Sequence, residues 1–146
     1  MDFLSNFGDF ITEQLIRSDI SVFELSKRSG INNSVIKRWQ TAEFMPSLDS
    51  LIRIADYFNV PIDFMIGLSD YPTLVRLDPP CTFAHQLQLL MQQRNLTSYR
   101  LSKDCNVGRA AVSKWLLEQR VPNFESIVIV AQYLNCSVDF LIGRGR

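Results

Sequence analysis

Shifting the chain by 76 residues lays its first half on its second without a gap. Leu25-Ser26-Lys27 falls on Leu101-Ser102-Lys103, Trp39 on Trp115, Pro46 on Pro122, and Asp63-Phe64-Met65-Ile66-Gly67 on Asp139-Phe140-Leu141-Ile142-Gly143. Between Phe7 and Gly67, 14 of 61 positions are identical to their partners, and others exchange one aliphatic residue for another, as Ile36 for Val112 and Ile54 for Val130. A fixed internal period decides architecture before any local reading does, so two copies of one fold are expected. Each would have about 70 residues, enough for a small helical unit to fold alone. Between them, Leu68 to Cys81 carries Pro72, Pro79 and Pro80, a composition that resists helix and reads as a partly stiff linker. The expected domains are 1–70 and 82–146, joined by a linker over 71–81, and the 14 residues from Leu68 to Cys81 would reach roughly 45 Å if fully extended.

Each copy reads as five short helices with no strand, giving an all-α fold. Phe7, Phe10, Ile11, Gln14 and Leu15 recur with helical rather than alternating spacing, so a first helix should end near Arg17. Ser21-Val22-Phe23-Glu24 is a capping-box signature: serine and glutamate side chains can satisfy the free backbone amides of a helix start. The second helix should run through Arg28 and stop at Gly30, where a residue tolerant of positive φ lets the chain turn. Gly30 pairs with Asn106 in the second copy, and asparagine is the next most tolerant residue there, so two different side chains point to one backbone requirement. Third helices are expected over Asn33–Thr41 and Arg109–Leu117, with Ile36, Trp39, Val112 and Trp115 facing inward. Ser47 and Asn123 should open the fourth helices. Pro61 suits the first position of a short fifth helix and Gly67 the place just past its end.

The hydrophobic fraction of 47% with 21% charged residues predicts a packed core rather than a disordered chain. Asp2, Asp9, Glu13 and Arg17 interrupt every apolar stretch near the N-terminus, and no run reaches the roughly 18 apolar residues of a membrane span, so a cytoplasmic protein without membrane association is expected. Cys81, Cys105 and Cys136 are widely spaced and odd in number, and His85 is the one histidine, which argues against a disulfide framework and a metal site. No nucleophile, paired carboxylate or phosphate loop stands at meaningful spacing, so no enzyme, cofactor or small-molecule ligand is expected. The net charge of zero by itself argues against a simple basic nucleic-acid binder. Its distribution says more: residues 1–75 carry ten acids and six bases, a net of −4, whereas residues 76–146 carry five acids and nine bases, a net of +4.

Ser21 to Gln40 and Thr97 to Leu116 each have the spacing of a helix-turn-helix, with a small Ser26 or Ser102 where the helices must approach closely. With the tryptophan closing the third helix, the Pro-Ser or Pro-Asn step before the fourth and the ending Asn59-Val60-Pro61-Ile62-Asp63-Phe64-Met65-Ile66-Gly67, each copy resembles the Cro and lambda-repressor type domains of the XRE family of regulators. The resemblance implies two tandem lambda-repressor-like DNA-binding domains. It also implies that the third helix enters the major groove while the start of the second meets the phosphate backbone. Given an inward Ile36 and Trp39, about 100° per residue leaves Ser34, Lys37, Arg38 and Thr41 facing outward, with Asn33 at the entrance of that face. Asn33 is then a candidate for a bidentate adenine contact, and Lys37 or Arg38 for guanine or phosphate. The second copy offers Arg109, Ser113 and Lys114, with Ala110 and Leu117 on the same face and Arg120 beyond it. Without the resemblance, a solvated helix face would be the default reading of these cations.

The chain departs from the family pattern at three positions of each copy. Val22 and Ser98 stand where glutamine is frequent, and Gln40 and Leu116 where glutamate follows the aromatic residue. Ala42 and Glu118 replace the usual loop glycine, so an altered path from the third helix to the fourth is expected. Glu43 should repel phosphate, whereas Arg120 should attract it.

The expected function is sequence-specific binding of double-stranded DNA as a transcriptional regulator, a repressor, with a homodimer as one further arrangement. The alternative is a helix-turn-helix module turned to protein-protein interaction or dimerisation with reduced DNA binding, which the acidic first half favours. Within the DNA-binding reading, Arg100, Lys103, Arg109, Lys114 and Arg120 should give the second copy most of the non-specific affinity. Asn33, Ser34, Lys37 and Arg38 should give the first copy more of the base choice.

Overall fold

A computed structural model describes residues 2–146. The chain divides into two compact units, Met1–Leu74 and Val75–Arg146. The first holds α1 (Phe3–Ser18), α2 (Val22–Ser29), α3 (Asn33–Gln40), α4 (Leu48–Phe58) and α5 (Ile62–Met65). The second holds α6 (Phe83–Gln93), α7 (Ser98–Cys105), α8 (Arg109–Leu116), α9 (Phe124–Tyr133) and α10 (Val138–Leu141). Among the described residues the only β-type pairing is an isolated antiparallel bridge between Arg76 and Gly145, which is not a ladder.

The helix starts follow from their caps. Ser21 accepts a hydrogen bond from the Glu24 amide, Thr97 from Arg100, Ser47 from Ser50 and Asn123 from Ser126, each satisfying a donor that the helix itself leaves free. Pro61 lies one residue earlier than expected, as the cap of α5 rather than its first residue. Thr41 and Leu117 cap α3 and α8 instead of ending them.

The duplication extends to the backbone. Left-handed residues occur as pairs 76 apart: Asp19 with Asn95, Gly30 with Asn106, Ala42 with Glu118, Asn59 with Asn135, and Gly67 with Gly143. Gly30 and Asn106 at φ 75° and 54° are the turn that the sequence requires. Ala42 and Glu118 correct an expectation. Despite lacking glycine they stand at φ 55° and 59°, so the chain leaves α3 and α8 by the same left-handed route. The reason is the unsatisfied carbonyls at a helix end: the Ala42 and Glu43 amides donate to Trp39 and Arg38, and the Glu118 and Gln119 amides donate to Trp115 and Lys114.

Each core is built around a tryptophan. Phe7 meets the buried Trp39 edge-on at 5.4 Å, and Phe83 meets Trp115 at 5.9 Å. Leu25, Ile36, Leu51, Ile54 and Met65 are buried in the first unit, with Leu101, Val112, Ile127, Val130 and Leu141 buried at the equivalent places. Burying each such side chain contributes about 1.5–3 kcal/mol, which is how elements of eight residues hold in place.

Residues 75–81, which the sequence reading assigns to the linker, hydrogen-bond to the end of the second unit. Leu77 donates to Arg144, Cys81 to Gly143 and Arg146 to Val75. The approach at Gly143 is so close that a Cβ there would overlap the Cys81 carbonyl. At the other end, the Ser69 amide is tied to Asp63. The Tyr71 amide donates in turn to the Ser69 hydroxyl, so the free tether is 72–74 and its reach is roughly 10 Å.

Candidate nucleic-acid interface

In each unit the second and third helices are joined by the same internal strap. Ser26 donates its hydroxyl to the Ile31 carbonyl, and Ser102 donates to that of Val107. This ties the outgoing end of one helix to the start of the next, and it explains why a small hydroxyl residue stands where the helices approach. The indole N–H groups of Trp39 and Trp115 are buried without a hydrogen-bond partner, which marks both residues as packing elements rather than surface readers.

The structure places Ser34, Lys37, Arg38 and Thr41 on the exposed side of α3, opposite the buried Ile36 and Trp39. Most of their polar groups are already engaged. Ser34 donates to the Asn32 side chain at 2.8 Å. Thr41 donates to Glu43 at 2.6 Å, and Arg38 lies 3.7 Å from the same carboxylate. Asn33 differs from its expected role, because its side-chain oxygen is buried without a partner; a bidentate adenine contact needs that oxygen and the amide nitrogen presented together. Lys37 remains exposed with its ammonium unpaired.

On the second unit Arg109, Ser113, Lys114 and Arg120 are all exposed, and none is paired with a carboxylate. Arg109 lies over the Tyr99 ring at 5.3 Å from its centroid. Tyr99 is 53% exposed, and Phe23 at the equivalent place is 59% exposed with the Lys27 ammonium 5.8 Å from its ring. These two aromatics, each beside a cation on the first turn of the second helix, were missed by residue-type reasoning. Their signal was positional: two large rings at equivalent sites that the core spacing leaves outside.

The faces differ most in an exchange of sign. On α2, Glu24 pairs with Arg28, and Arg28 donates to the Tyr57 hydroxyl at 3.0 Å. On α7 the equivalent residues are Arg100, Asp104 and Tyr133. Arg100 lies 2.9 Å from Asp104, which accepts from the Tyr133 hydroxyl at 2.5 Å. The hydrogen bond from Tyr133, followed by that from Arg100, holds the Asp104 carboxyl below the usual carboxylate range. At the first turn of the second helix, the first unit thus presents an anion and the second a cation.

A profile of the helix-turn-helix family matches the chain twice, over residues 13–65 and 87–141. Among curated proteins, the HTH-type transcriptional activator BcrR of Enterococcus faecalis is 33% identical over 60 residues, covering 41% of this chain and 29% of that protein. The chain thus aligns with less than a third of that relative's length. No solved structure matches the chain. No helix among the described residues is long and apolar enough to cross a membrane.

Proposed function

The chain belongs to the helix-turn-helix family, and from that membership we propose that it binds specific double-stranded DNA and regulates transcription, with α3 and α8 lying in the major groove. The observation that carries the reading is the exposed, carboxylate-free set Arg109, Ser113 and Lys114 on α8, with the exposed Arg100 and Lys103 on the preceding α7 and Arg120 following. Cations on the helix that enters the groove and on the one before it can take phosphates on either side, while Ser113 reaches a base edge. In the first unit Lys37 is the ready contact, and Ser34, Arg38 and Thr41 act once released from their present partners. Asn33 contributes after rotation of its side chain.

Repression, the output expected from the sequence, needs only occupancy of the site, whereas the relative's name is that of an activator. A reporter carrying the selected site decides between them. Fluorescence anisotropy with a duplex selected from a random library tests binding itself. Salt-sensitive binding with a preference for the selected duplex supports the reading, and no binding at low salt refutes it.

One observation favours a second reading, a protein-interaction module. Leu117, 66% exposed, stands at the end of α8 where the first unit has Thr41. It borders a groove of about 510 Å³ of mixed character, lined also by Met91, Leu96 and Leu116 and by Gln88, Gln92 and Asn95. If that surface is the functional one, Leu117→Ser leaves DNA affinity unchanged and abolishes self-association or partner association.

A further inference from the structure

The first unit carries a carboxylate just beyond the end of α3, and that carboxylate is occupied from within. One oxygen of Glu43 lies 3.7 Å from Arg38 Nε, and the other accepts the Thr41 hydroxyl at 2.6 Å. The cause is local. Ala42 at φ 55° reverses the chain immediately after α3, the Glu43 amide donates to the Arg38 carbonyl at 3.0 Å, and the side chain returns along the helix it has just left. Phe44 packs against the same arginine, with its ring centroid 4.6 Å from the Arg38 guanidinium. A guanidinium and a hydroxyl both directed to one anionic group is the set of contacts that a phosphate oxygen would receive.

The second unit, built on the same backbone, lacks the device. Gln119 stands in the place of Glu43, Arg120 in that of Phe44, and Leu117 in that of Thr41, while Lys114, at the place of Arg38, has no carboxylate beside it. Nothing in the fold therefore requires an acid at this position.

Resting on the DNA-binding reading above, the geometry points to Glu43 as an internal stand-in for a DNA phosphate, which holds Arg38 and Thr41 until a duplex offers contacts good enough to replace it. Glu43 is then a specificity-determining residue. It withholds the two groups from random sequence and releases them on the preferred one, where base contacts add to the exchange. Both members of the ion pair are more than half exposed, so the hold is weak and acts as a discriminator rather than a block.

The test uses the full chain, as wild type, Glu43→Gln, Glu13→Gln, and Arg38→Ala combined with Glu43→Gln. Glu13 is a charge-matched control, an exposed acid paired with Arg17 on α1. Anisotropy is read over a salt series with a random-sequence duplex and with a duplex selected from a library. Glu43→Gln should tighten random-duplex binding about two- to fivefold, steepen the salt dependence by about one phosphate and lower the ratio of selected to random affinity. Glu13→Gln should change each affinity less than about twofold. Adding Arg38→Ala should remove the gain. Equal tightening by the two glutamine variants, or a gain that survives loss of Arg38, overturns the stand-in while leaving DNA binding intact. Absence of binding by every form at low salt overturns the DNA-binding reading itself, and the inference with it.

Discussion

Replacing Arg144 by alanine should unfold the second unit selectively. Arg144 Nη1 lies 2.7 Å from Asp139 Oδ1, with the two side chains 7% and 1% exposed. Removing the arginine leaves a carboxylate with almost no access to water, and breaking a buried pair from one side costs about 3–5 kcal/mol. A unit of about 70 residues has a total stability of only roughly 4–10 kcal/mol, so the loss is a large part of the whole. At about 4–8 °C per kcal/mol for a domain of this size, the second unit should melt roughly 12–40 °C lower. The first unit has Leu68 at the equivalent place and should be unaffected. Calorimetry of the full chain should therefore show one transition moved and one unmoved. Because the Arg144 carbonyl accepts from Leu77, amide exchange at Leu77 and Cys81 should quicken with it. Replacing both partners, Asp139→Asn with Arg144→Met, should recover most of the loss, since neither new side chain carries a charge into the buried site. A shift smaller than about 1 kcal/mol for Arg144→Ala would refute the claim that burial, rather than the backbone turn alone, makes the pair matter.

Three further outcomes follow from the same geometry. Lys114→Ala should weaken binding to all duplexes alike and lower the slope of log affinity against log salt by about one unit, read by anisotropy across salt concentrations. Glycine at either left-handed position, Ala42 or Glu118, should raise the melting midpoint of its own unit by an amount equivalent to about 0.5–1 kcal/mol in calorimetry, because a side chain at φ 55° or 59° is strained where glycine is not. The Tyr133–Asp104 hydrogen bond lowers the carboxyl pKa and raises that of the phenol, in each case as the largest cause. Its stabilisation is present above the unfolded carboxyl value near ~3.9 and is lost as pH falls through the folded one; it is present below the unfolded phenol value near ~10 and is lost as pH rises through the folded one. Urea titrations of wild type and Tyr133→Phe should differ most at intermediate pH and converge at both ends.

Much of the fold was legible because its causes are local. A serine three residues ahead of a free amide, or a glycine and an asparagine at equivalent turns, acts through its own backbone neighbourhood, and so do Ser21, Ser47, Gly30 and Asn106. Ala42 and Glu118 were not legible as left-handed residues. Neither side chain favours that conformation, and it is imposed by the carbonyls that the preceding helix leaves open. Residues 75–81 escaped for a different reason, since prolines say what a segment cannot be and not which distant strand of backbone it will meet. The outward face of α3 was correct in its membership because 100° per residue fixes it. Whether its groups were free depended on where the Glu43 side chain turned, and that follows from the unread conformation of Ala42.

The reversed ion pairs show what the duplication left free to vary. Either order of charges four apart on a helix can close a pair, and either can be joined by the tyrosine of the fourth helix, so the packing does not choose between Glu24–Arg28 and Arg100–Asp104. The helix dipole does choose. An acid in the first turn and a base in the last are each favoured by about 0.3–1 kcal/mol, so α2 has the better arrangement and α7 the worse. A locally unfavourable order that nevertheless sits in a well-capped helix is best understood through what it presents outward. Arg100 puts positive charge on the first turn of α7, beside Tyr99 and Arg109, where a phosphate would gain from the same helix terminus that the arginine does not. The hydrogen bond from Tyr133 to Asp104 offsets part of the cost. The second unit thus gives up a favourable term in its own stability at the turn where a cation would serve the proposed DNA contact, while the first keeps that term and presents an anion.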